Sequence, residues 1–138
     1  GSDQDNFLAH LRHHLDQHGF SDIEVRAARM SQMNATRLDP EDPWVSWALT
    51  SMQLSTNKTP TLLPNLGGSL PNDVFAETLG LPTLWVPHSY PACSQHAPDE
   101  HLLGSIASEA LILMAGLFWD LSVQGAEIYK ERTLCKSH

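Results

Sequence analysis

The 138 residues carry 8 Lys and Arg against 16 Asp and Glu, a formal charge of −8, with 41% hydrophobic and 17% charged residues. That length supports one domain with a core but not two full ones, and the composition excludes a disordered polyelectrolyte. The acidic balance, with a pI near 5.3, excludes a protein that holds nucleic acid or an anionic membrane by charge. No apolar run approaches the ~18–20 residues of a membrane span, and no secretory signal is visible. Two cysteines, Cys93 and Cys135, make no disulfide framework, so a cytoplasmic, reducing setting is expected. Gly1-Ser2 matches the scar of a cleaved tag and is set aside from the fold.

Between Asp5 and His18 the apolar residues Phe7, Leu8, Leu11 and Leu15 recur at helical spacing, and Gly19 follows as a left-handed stop. Ile23-Glu24-Val25-Arg26-Ala27 alternates apolar and polar, the pattern of a strand with one buried face. After a proline-rich connector, Asp42 and Pro43 read as the cap and first residue of a helix. Trp44, Trp47, Ala48, Ser51 and Leu54 would form one face of it, as far as about Ser55. Thr61-Leu62-Leu63-Pro64 is a short strand candidate. A short helix is expected from Pro71 to Leu79, closed by Gly80. Pro82 to Val86 is too continuously apolar for a half-exposed edge and reads as an interior strand. A long helix is expected from Pro98 to Leu121, whereas Ser122 to His138 gives no clear signal. Helices alternating with strands predict an α/β fold.

Three segments could carry chemistry. In Gly67-Gly68-Ser69 two glycines let the backbone turn sharply beside a ligand, and the following helix start would seat a carboxylate. The same residues also suit a plain strand–turn–helix connection. His96 lies on a loop leaving the carboxyl end of an apolar segment, just before Pro98. It is either a metal ligand or an ordinary exposed histidine. As a ligand it would have Glu100, one turn on, available for its other ring nitrogen. His88 and His101 are weaker candidates, and Cys93 is a ligand, a nucleophile or a small buried thiol. His10, His14 and His18 share a helix face at i, i+4, i+8, which is expected to be solvated, with any zinc there adventitious.

Taken together, Gly67-Gly68-Ser69-Leu70-Pro71, Leu79-Gly80-Leu81-Pro82-Thr83 and Gln95-His96-Ala97-Pro98-Asp99-Glu100 resemble, in order and spacing, the carboxy-terminal part of the co-catalytic zinc exopeptidases. That family includes acetylornithine deacetylase, succinyl-diaminopimelate desuccinylase, aminoacylase and carnosinase-type dipeptidases. The likeness spans Asp39 to Leu121. It implies a mixed-sheet catalytic domain over residues 31–121, preceded at 3–30 by a helix–strand remnant of an α+β lid that makes a dimer, and followed by a tail at 122–138. It implies His96 as a zinc ligand, Gly67, Gly68 and Ser69 as the substrate-binding turn, and Glu100 as a supporting acid.

The family's other ligands and its general base have no counterpart in these residues. The resemblance therefore implies a fragment of a hydrolase that cleaves peptide or N-acyl amide bonds with metal-activated water at a two-zinc centre, itself inactive and without stably bound zinc. Its substrate would be a small peptide or N-acyl amino acid. The alternative is a non-catalytic module that kept the scaffold and binds or self-associates. Under either reading, unpaired strand edges near Leu62 and Leu84 predict a homo-oligomer.

Overall fold

The computed structural model describes residues 6–27, 33–68 and 70–135, and every regular element among them is helical. Three α-helices are present: α1 (Phe7–Gln17), α2 (Pro43–Thr56) and α3 (Gly104–Cys135). A single π turn occupies Val74–Thr78 and a single 3-10 turn Pro91–Cys93. The α/β expectation is therefore wrong for the described residues, which contain no strand and no sheet. The reason lies in what a strand needs. Ile23–Ala27, Thr61–Pro64 and Pro82–Val86 have the composition of strands, but extended backbone becomes a strand only when a neighbour takes its N–H and C=O groups. Among the described residues none of the three finds such a neighbour. Leu84 and Trp85, expected inside a sheet, are exposed instead. With no sheet, the mixed-sheet catalytic domain and the open strand edges fall as well.

The chain divides into two compact units, one of residues 1–37 and 67–83, the other of residues 38–66 and 84–138. In the first, α1 turns Leu8, Leu11 and Leu15 inward and ends at Gly19, whose φ of 81° an L side chain would resist. Arg12 then fastens the segment that follows, donating to the carbonyls of Ser21 at 2.7 Å and Ile23 at 2.6 Å. Glu24 and Arg26, two residues apart, make a forked pair at 2.7 Å that raises the guanidinium pKa above its ordinary value. Asn34 and Thr36 are strapped to the later segment. The Asn34 amide donates to Asp73, its side chain to Glu77, and Asn72 donates to both Thr36 and Thr83.

The second unit is built on α2 against α3. Asp42 caps α2 by accepting from the Trp44 N–H at 3.0 Å, and Pro43 opens the helix, as the sequence predicts. The buried face is Val45, Ala48 and Ser51, small residues throughout, whereas Leu54 points to solvent. A small face lets α3 approach closely. A Cβ placed on Gly116 would stand 2.9 Å from the Ser55 Cβ. The helices run antiparallel: Asp42 at the start of α2 pairs with Arg132 near the end of α3, while Lys58, just past α2, pairs with Glu109 near the start of α3. The Asp42–Arg132 bond is 2.8 Å long and both side chains are largely buried.

α3 begins six residues later than expected and continues through the stretch that carried no sequence signal. Over 18 residues its mean hydropathy is 1.6, long and apolar enough by composition to cross a membrane. Glu109 and Asp120 fall in that sequence window, and the longest run in it free of charged residues is Ala110 to Trp119. Ten residues rise about 15 Å, half of the ~30 Å hydrocarbon thickness.

Candidate functional site

His96 occupies the crown of a closed loop in the second unit. The loop is entered through Tyr90, extended, and the 3-10 turn that Pro91 initiates. Cys93 anchors it, buried at 5% exposure, which makes this thiol a packing residue rather than a nucleophile. The neck is shut where the His101 N–H donates to the Cys93 carbonyl at 3.0 Å, and the Tyr90 and His101 rings meet edge-on at 6.1 Å. Nine residues with joined ends make a compact surface loop of the kind that often carries function.

Inside the loop the backbone turns left-handed three times at non-glycine residues, with φ of 55° at Ser94, 64° at His96 and 62° at Asp99. Each such residue costs about 1–3 kcal/mol, and surrounding bonds must hold it there. The Ala97 N–H donates to the Ser94 carbonyl at 2.9 Å, and the His96 N–H donates to Glu100 Oε2 at 3.2 Å. Glu100 therefore grips the backbone of His96 rather than a ring nitrogen. The carboxylate thus fixes the loop while the imidazole stays exposed. His101 is exposed as well, but its Nδ1 shares a 2.8 Å hydrogen bond with the Asp99 carbonyl, and His88 is half-buried.

The other expected residues lie elsewhere. Ser69 falls outside the described residues. Gly67 and Gly68 are exposed in the first unit, and Gly67 has open space where a Cβ would be. The helix expected after them shrinks to a short π turn whose leading N–H, on Val74, is already taken by Asp73 at 3.0 Å. The chain has put its own carboxylate where a ligand's was expected. On α1 the His14 and His18 rings lie 4.1 Å apart with His18 Nδ1 bonded to the His14 carbonyl, on the exposed face that the spacing predicts.

Among the described residues no three His, Cys, Asp or Glu side chains gather in a way that could hold a metal ion. Zinc takes three or four such ligands, so these residues do not by themselves fit a zinc centre; His96 offers one imidazole. The acid that sequence reasoning missed is Asp73, which joins two segments; Asn34, 39 residues away, gave no signal of that partnership. No family model matches the chain, and neither a curated protein nor a solved structure matches it.

Proposed function

We propose that this chain contributes one metal ligand, His96, to a metal-dependent hydrolase of peptide or N-acyl amide bonds, the remaining ligands and the general base being supplied by protein outside these 138 residues. The observation that carries the reading is the loop itself. Three strained residues, a buried anchor at Cys93 and a carboxylate clamp from Glu100 all serve to present one exposed imidazole. The resemblance of Gln95 to Glu100 to the zinc exopeptidases gives the loop its chemistry, and zinc is the metal that it implies. Gly67, Gly68 and Ser69 keep their proposed role at the substrate's carboxylate on that resemblance alone.

The reading has a direct consequence. The isolated chain hydrolyses neither dipeptides nor N-acyl amino acids, with or without added zinc, whereas the product of the complete reading frame that encodes it does. Comparing the two in one amide-hydrolysis assay checks this. Turnover by the isolated chain, or none by the zinc-loaded complete product, overturns the proposal.

A further inference from the structure

α3 is a 32-residue helix with one face on α2 and the opposite face bare. From Gly104 to Ala126 every exposed residue of α3 is uncharged, a strip about 33 Å long. The two acids within that span do not interrupt it: Glu109 is paired with Lys58 and Asp120 is half-buried on the side toward α2. Leu111 and Trp119 are each 73% exposed, Phe118 68% and Tyr129 64%. With Ile112 and Val123 these side chains amount to about 800 Å² of outward area, the share each partner gives to a standard stable interface.

We infer that this face pairs with the same face of a second copy, antiparallel, about a two-fold axis passing between Phe118 and Trp119. The sequence is size-complementary about that point. Residues equally far from it come level across the pair: Ser108 with Tyr129, Leu111 with Ala126, and Ala115 with Ser122. A large side chain meets a small one at the two outer levels, the next level is small on both sides, and the two aromatics fill the centre. Such filling is what close packing of two helices demands. Neither copy buries a charge, and the isologous contact closes on itself as a dimer. A lipid surface is disfavoured by the flanks, because an interfacial helix is rich in Lys and Arg beside its apolar face, and here the exposed charged residues that follow the strip are two acids and one base, Glu127, Lys130 and Glu131, in a chain of charge −8. The pairing stands whether or not His96 holds a metal.

Cysteine cross-linking of the full chain tests both partner and direction, in a Cys135→Ser background that removes the exposed native thiol. Ala115→Cys with Ser122→Cys oxidises to a covalent dimer, because each new thiol meets the other across the axis. Ala115→Cys alone does not, since its two copies stand about 10 Å apart along the axis, beyond disulfide reach. Light scattering finds a dimer for the unmodified chain, and Trp119→Lys raises its dissociation constant about tenfold or more while keeping the helical circular dichroism signal. A monomer at about 100 µM, on the order of a hundredfold above a micromolar dissociation constant, cross-linking by Ala115→Cys alone, or capture of a monomeric chain by phosphatidylcholine–phosphatidylserine vesicles would each overturn the inference.

Discussion

Asp42→Ala lowers the stability of the α2–α3 unit by about 3–5 kcal/mol, the cost of leaving a buried charge without its partner. Asp42 serves two elements at once. One carboxylate oxygen caps α2 at the Trp44 N–H, and the other holds Arg132 at 2.8 Å. The two side chains are only 6% and 13% exposed, so water cannot take over either role. Cap loss alone accounts for about 1 kcal/mol; the rest is the stranded guanidinium. Asp42→Asn therefore recovers only the cap, and adding Arg132→Met to Asp42→Asn restores most of the remainder by removing the charge. Urea unfolding followed by the helical signal measures all three. A loss below about 1 kcal/mol for Asp42→Ala would mean that the pair is not what closes the far end of the two helices.

Gly116→Val lowers the stability of the same unit by about 2–3 kcal/mol. The Cβ it adds is fixed to the backbone and would stand 2.9 Å from the Ser55 Cβ, so it cannot rotate away and the helices must part. Ser55→Gly in the same chain relieves the crowding and returns part of the loss. Equilibrium unfolding of the single and double variants isolates the crowding, because valine is no worse a helix former than the glycine it replaces. If Ser55→Gly returned nothing, close approach would not be the reason for glycine at 116.

The parts of the fold that were legible in the sequence are those set by neighbours a few residues apart. Asp42-Pro43 marks the start of α2, and Gly19 and Gly80 mark stops, because caps and left-handed turns are local chemistry. The strands were misread because alternation at Ile23–Ala27 records only which side of an extended segment is apolar, not whether another segment will pair with it. The start of α3 was misplaced at Pro98 because the bond between His101 and Cys93 holds residues 93–101 in a turn, and Asp99 at a φ of 62° cannot continue a helix. The last turns of α3 were missed for a similar reason. Arg132 is anchored by a residue ninety positions earlier, and no window along the chain contains both.

The site divides in the same way. That His96 is an exposed loop residue followed from Pro98 and the polar residues around it. The contact made by Glu100 did not, since spacing gives reach but not which atom of the histidine unit is taken. Gly67 and Gly68 read as a ligand turn because glycine pairs free the backbone, but an N–H capped by the chain's own Asp73 lies beyond anything their spacing reveals.

The proposed role of His96, one ligand of a metal centre completed from outside this chain, is tested most directly by the metal content of His96→Ala in the complete product. Elemental analysis beside His88→Ala as a control is expected to find at least one zinc ion fewer per polypeptide in His96→Ala alone, with hydrolysis lost and the helical signal unchanged. The same zinc content and turnover in both variants would contradict it.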